Sequence, residues 1–274
     1  MRALIKTFKP LFVIRGSVSQ RWQIAIFFIA ILSIVIGYSL LAYDKDNRLL
    51  PTWSMLFAGL QKIITDPVTG DHYLWEDTID SFCRIIPAVG IASVIGIVIG
   101  MYMGVYAGAE AFFSRILTFI GNIAPNAIMV LFIVYFGYQF KMYVAVIVFG
   151  IFTMIAKTVF EAVKEISDEE IFSLKSLNAS SSEIVWTVLF PQVLPQIITA
   201  IHQAIAPAII YVISAEWVSG SSGFGYRFSM FSRSGRLELT FPYLLYLGAI
   251  GVLTLAIFNL TTRLLCPWYR KETK

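Results

Sequence analysis

Apolar runs, each about as long as a bilayer-crossing helix, alternate along this chain with short polar stretches. Roughly 20 predominantly apolar residues are needed to span the hydrocarbon core as a helix. Such runs fall at Trp22–Tyr43, Ile85–Tyr106, Ile116–Phe136, Met142–Phe160, Pro191–Ala215 and Phe241–Leu265. The first is longer than the apolar core of a signal peptide and no small-residue cleavage site follows it, so it reads as a retained span. The pattern predicts an all-α integral membrane protein with six transmembrane helices and both termini on one side.

Composition excludes the main alternatives. Of 274 residues, 58% are hydrophobic and 14% charged, against about 25% charged in soluble domains. Too few charges remain to cover a water-facing surface. The net charge of +4 is too small and too scattered for nucleic-acid binding. Cys83 and Cys266 fit neither a disulfide framework nor a metal-ligand spacing.

Charge placement adds direction. Residues 1–21 carry Arg2, Lys6, Lys9, Arg15 and Arg21 and no acid, which predicts a cytoplasmic amino terminus. The tail, with Arg263, Arg270, Lys271 and Lys274, agrees. The chain then divides into a cytoplasmic segment 1–21, a first span 22–43, an external connector 44–84, a core 85–265 and a cytoplasmic tail 266–274. Within the core, loop 161–190 would be cytoplasmic and carries six acids. Loop 216–240 would be external, yet it contains Arg227, Arg233 and Arg236. These arginines either draw an anion to the mouth or pair with Glu216, Glu238 or a docked protein.

Local patterns are most informative between the fourth and fifth spans. Ser167 and Glu170 read as a capping box, opening a helix that ends near Leu177, with Asn178 able to adopt the left-handed conformation that follows a helix. Ser180 and Glu183 form a second capping box, opening a helix expected to stop near Pro191. Ile171, Phe172, Leu174 and Leu177 are apolar residues on a short helix outside the bilayer and need a partner. That partner is the chain's own membrane domain or another subunit.

Within the spans, Gly96, Gly100, Gly104 and Gly108 recur at intervals of four and share one face of the second span, suited to close helix packing. Asn122 and Asn126 are expected on one face of the third span, His202 and Gln203 together in the fifth, and Glu216 at its outer end. Polar residues inside a membrane face a bundle interior or a cavity, so each either holds the bundle or lines a pathway; Glu216 could pair with an external arginine to close a gate. No Gly-x-x-x-x-Gly-Lys-Ser/Thr loop and no His-Glu-x-x-His motif occurs. No catalytic group, metal site or cofactor site is expected in this chain.

The run Ser176-Leu-Asn-Ala-Ser180, followed by Phe190-Pro191, Leu194-Pro195 and Ile197, is similar to the cytoplasmic signature loop of ABC-importer permeases. Ser214-Ala-Glu216 with Gly223-Phe-Gly225, Leu50-Pro51, Asp80-Ser-Phe-Cys-Arg84 and Tyr135-Phe-Gly137 resemble the taurine/sulfonate/nitrate/bicarbonate branch. The sequence departs from the family at Phe172-Ser-Leu174, where Glu-Ala-Ala is usual, at Asn178, usually glycine, and at His202, commonly arginine. It keeps Pro125 but lacks the prolines usual nearby. The resemblance implies a multi-pass permease of a bacterial inner membrane, with a coupling helix between the fourth and fifth spans. Phe172, Leu174, Ser176, Leu177, Asn178 and Ala179 would meet an ABC ATPase subunit, which would hold ATP and Mg. A second permease copy would complete a pathway working by alternating access, lined or gated by Asn122, Asn126, His202, Gln203, Glu216 and Arg227. A periplasmic or lipid-anchored binding protein would deliver a small solute, expected to be an anion such as a sulfonate, nitrate or bicarbonate. The rival reading is a stand-alone secondary transporter or channel. Six spans, no deep acid and no inverted repeat count against it.

Overall fold

A computed structural model describes residues 20–42, 50–64, 73–176, 178–219 and 222–265. Among them the regular structure is entirely helical. The segment 1–19, Leu177 and the tail 266–274 lie outside the described residues, and with them the expected basic terminus, the last position of the short loop helix and Cys266.

The chain divides into two units, residues 1–58 and 59–274. In the first, α1 (Gln20–Ala42) is apolar on every side, as a lipid-facing span should be. The Tyr38 hydroxyl donates to the Pro51 carbonyl at 2.6 Å, and the Trp53 indole N–H donates to Ser39 Oγ at 3.0 Å. These bonds fix the chain after α1 to its last turn.

The helix α2 (Trp53–Ile64) straddles the division. The second unit continues with α3 (Tyr73–Val105), α4 (Ala107–Gly121), α5 (Pro125–Phe136), α6 (Phe140–Lys164) and α7 (Asp168–Ser176). One α-helical turn, α8 (Ser181–Glu183), passes through a π-helical segment (Ile184–Leu189) into α9 (Phe190–Ser219); α10 (Phe224–Arg233) and α11 (Leu237–Leu265) complete it. Among the described residues, five helices are long and apolar enough to cross a membrane, or six if a bent pair counts as one span.

The core is α6, sandwiched by α3 and α9. Ile147, Ile151, Ile155 and Val159 of α6 are sealed from solvent. On α9 they meet Ala200, Ala204, Ala208 and Val212, spaced four apart and equally buried. On α3, Ala88 and Ala92 give way to Gly96, Gly100 and Gly104. A Cβ on Gly96 would stand 2.8 Å from Ile155, one on Gly100 2.5 Å from the Ala156 carbonyl, and one on Gly104 2.5 Å from Val163. Bulky β-branched residues on α6 thus fill the recess left by small ones on α3.

Several expectations change. Gly108 does not extend the glycine face: α3 ends at Val105, Tyr106 is extended, and Gly108 belongs to α4 with no atom within 4 Å of a Cβ there. The third span is not one straight helix. Its two halves, α4 and α5, meet at 91°, because Pro125 sits in the first turn of α5, where its missing N–H and fixed φ suit a helix start. Residues 44–84 are not simply a connector: α2 occupies part of them, and Tyr73–Arg84 form the first turns of α3. Loop 216–240 is likewise mostly helical. The helix opened by Ser180 does not stop at Pro191 either. The N–H of Phe190 bonds to the Val185 carbonyl five residues back, and this wider turn accommodates a proline ring that would clash in a regular α-helix.

Candidate functional site

Two constructions in the second unit account for most of its charged and polar sequence signals. One is a buried polar lock joining α3, α9, α10 and α11. The other is the short lever between α6 and α9.

The lock begins on α3, where Asp77, Ser81 and Arg84 follow at intervals of four and three and so share a face. All three are buried. Glu216, near the end of α9, is 0% exposed. Its carboxylate accepts from Arg84 Nη1 at 2.6 Å, from Ser81 Oγ at 2.8 Å and from the Gly225 N–H at 2.9 Å. Arg84 also donates to the Ser222 carbonyl at 2.9 Å and to Ser222 Oγ at 2.8 Å, and its guanidinium lies 4.2 Å above the Tyr143 ring centroid. Ser81 Oγ accepts the Phe224 N–H at 3.1 Å. Both charges are therefore surrounded by partners, which a buried pair requires if it is not to destabilise.

Gly223 and Gly225 make this approach feasible. Gly223 has φ +97°, and a Cβ there would lie 2.5 Å from Glu216 Cδ. A side chain at Gly225 would strike the Ile213 carbonyl and come within 2.8 Å of Glu216 Cβ. The Gly-Phe-Gly sequence is the backbone half of the carboxylate's cradle.

A second pair adjoins it. Asp77 accepts from Arg227 Nε at 2.9 Å and Nη2 at 3.2 Å, and from the Tyr243 hydroxyl. The Arg227 guanidinium lies 4.4 Å above the Tyr73 ring. Burial works against the arginine's charge, but Asp77's hydrogen bonds and charge outweigh it and hold the pKa above the ordinary arginine value. Tyr243 is sealed among Phe224, Phe228 and Phe231 in edge-on contacts.

The lever is α7. The Ser167 hydroxyl accepts the Glu170 N–H at 3.4 Å, while the Glu170 carboxylate accepts from Gln192 at 3.3 Å. Asn178 has φ +64°. Its N–H bonds to the Lys175 carbonyl at 3.0 Å and the next N–H, of Ala179, to the Leu174 carbonyl at 3.2 Å. That bond pair is the Schellman closure of a helix. Two residues on, Ser180 and Glu183 form a reciprocal capping box. Ile171, Leu174 and Ala179 pack against the main core, whereas Phe172 is 65% exposed, with Lys175 Nζ 5.8 Å from its ring centre. Ser176 and Asn178 are exposed.

The expected pathway residues do not converge. Asn122 caps the end of α4 and Asn126 lies in the first turn of α5, so the bend separates what a straight helix would have placed on one face. Asn126 lines a 310 Å³ depression with Ser214 and Trp217 of α9. Half-buried His202 and exposed Gln203 sit about 20 Å from Glu216 along α9 at 1.5 Å per residue. Glu216 pairs with Arg84, not with an arginine of 227–236, and Arg227 pairs with Asp77. Sequence reasoning missed Asp77, Ser81 and Arg84 as a set. Their shared helical face was the available signal, obscured because this segment read as a solvated connector.

Comparison with known proteins agrees with this architecture. A methionine ABC transporter structure in inward-facing conformation superposes with a TM-score of 0.57 at 19% identity, covering 69% of this chain and 96% of that one. The taurine transport system permease protein of Escherichia coli K12 is 25% identical over 73% of this chain and 72% of its own length. The bicarbonate transport system permease protein of Synechococcus elongatus is 28% identical over 67% and 66%. Residues 96–271 match the family described as the binding-protein-dependent transport system inner membrane component, and the chain belongs to that family of ABC-importer permeases.

Proposed function

We propose that this chain is the membrane-crossing subunit of an ATP-driven importer for a small anion, working as a pair of copies by alternating access. A separate ATPase would bind ATP and Mg, and an external binding protein would deliver the solute. The observation that carries this reading is α7: a rigid helix closed by a left-handed Asn178 and rejoined to α9 through a capping box. In this arrangement the termini and α7 face the cytoplasm. Phe172 projects into the ATPase while Ile171 and Leu174 anchor the lever to the core. Ser176, Asn178 and Ala179 set the angle at which α7 is held. The names of the taurine and bicarbonate relatives support a solute that bears an anionic group, the sulfonate of zwitterionic taurine or the bicarbonate oxyanion. So do Arg233 and Arg236, exposed at the end of α10 and just beyond it. Asn122, Asn126, His202 and Gln203 remain polar groups available to a pathway.

The test is uptake and ATP hydrolysis in proteoliposomes holding the whole importer. Valine tolerates positive φ poorly and glycine adopts it freely. Asn178→Val is expected to leave ATP hydrolysis running while uptake falls, and Asn178→Gly to retain uptake. Normal uptake by Asn178→Val would remove the lever from the mechanism.

A further inference from the structure

The fourth apolar run, Met142–Phe160, contains a single charge, and neither the lock nor the lever uses it. Lys157 stands on α6 roughly 10 Å short of the helix end at Lys164 and is half-buried. Among the described residues it makes no ion pair and no hydrogen bond. The buried acids Asp77 and Glu216 are bound to Arg227 and Arg84, and Glu161, one turn further along α6, is exposed and not paired with it. A charge inside a span is costly and marks a partner or a pathway.

Its surroundings indicate which. Gly150, Thr153 and Lys157 follow at intervals of three and four and share one face of α6. That face lies against the bend between α4 and α5. A Cβ on Gly150 would stand 3.0 Å from the Pro125 ring, and one on Gly121 would stand 3.5 Å from Thr153 Oγ1 and 3.7 Å from Lys157 Nζ. Gly121 has no side chain and so leaves both polar atoms uncovered. Thr153 is 5% exposed, and its hydroxyl has no hydrogen-bond partner among the described residues. The ammonium does not close the end of α4 either, because the Phe119 and Ile120 carbonyls there accept from the Asn122 and Ile123 N–H groups at 3.3 and 3.0 Å. With the exposed amide of Asn122, the recess offers an ammonium, a hydroxyl and an amide, all able to donate to an oxyanion.

We propose that this recess between Lys157, Thr153 and the α4–α5 bend holds the anionic group of the solute during its passage, with Lys157 as the counter-charge. The oxyanion accepts from the ammonium and the Thr153 hydroxyl, and the missing side chain at Gly121 gives it room. The assignment rests on the reading of the chain as an importer of a solute bearing an anionic group. Its test reads the recess in the lone chain, and uptake by the parent importer tests the import reading separately.

The full chain, with Cys83 and Cys266 replaced by serine, is placed in phosphatidylcholine proteoliposomes with a thiol introduced by Gly121→Cys. Asn122→Cys, at the exposed neighbouring position, serves as a second reporter. Each is labelled with the anionic sulfonatoethyl methanethiosulfonate and the cationic trimethylammonioethyl reagent. The anionic reagent is expected to react faster, by a ratio that falls about fivefold in Lys157→Gln and is kept in Lys157→Arg. At least one of nitrate, bicarbonate and taurine, at millimolar concentration, is expected to slow labelling more than chloride does. Equal rates for the two reagents, no reaction at either reporter, or a ratio unchanged in Lys157→Gln would overturn the proposal. So would slowing by none of the three soluble solutes. Suppression of labelling only when phosphatidylglycerol is added would assign the lysine to a lipid and overturn it as well.

Discussion

Glu216 is the residue on which the lock turns. Its carboxylate accepts from Arg84, Ser81 and the Gly225 N–H while fully buried. Removing one member of a buried pair strands the other, at a cost of about 3–5 kcal/mol, whereas replacing both with apolar groups can be neutral. Glu216→Ala is therefore expected to lower the melting temperature in detergent sharply, and Arg84→Met with Glu216→Leu to recover much of the loss. If the double variant melts no higher than Glu216→Ala alone, the ion pair is not the source of the effect. Gly223→Ala combines positive φ with a clash against the same carboxylate, so it should destabilise by at least the roughly 1–2 kcal/mol typical of left-handed strain. Asn178 and the Ser180–Glu183 box were legible in the sequence because capping chemistry is local. The partner of Glu216 was not, since Arg84 lies 132 residues away and nothing in the sequence chooses among the arginines.

At the scale of the element, glycine spacing carries the packing of α3 on α6. Gly100→Val is expected to abolish stable insertion or folding, because a Cβ already falls 2.5 Å from the Ala156 carbonyl. Gly108→Val, in open space, should match the parent in yield and melting temperature. The sequence periodicity treated these two positions alike; only the break at Tyr106 separates them. Apolar windows located most spans because hydropathy is a property of the whole segment. They overlooked the 91° bend between α4 and α5 and the passage of a helix through Pro191, both set by backbone geometry at single residues. They also cut α3 short, because its first turns carry charges that are neutralised by distant partners rather than by water.

For the whole molecule, the arginines of segment 216–240 separate into two kinds. Arg227 is bound to Asp77, leaving Arg233 and Arg236 exposed. Electrostatic attraction of an anion would depend on the latter two and would be screened by salt. Neutralising Arg233 and Arg236 together in the assembled importer is expected to lower uptake at low ionic strength and to flatten its salt dependence. Uptake and salt dependence matching the parent would exclude steering by these groups.

The length of α3 has a mechanical consequence. Its 33 residues extend about 50 Å at 1.5 Å each. Asp77, Ser81 and Arg84 lie near one end, and Gly96, Gly100 and Gly104 follow toward the other. A roll of this rod about its own axis large enough to free the glycines from α6 would also tear both carboxylates from their arginines. Each end is thus gripped against torsion, and Pro87, inside α3 between the two grips and without a backbone N–H to bond, is the position at which any twist between them is expected to concentrate.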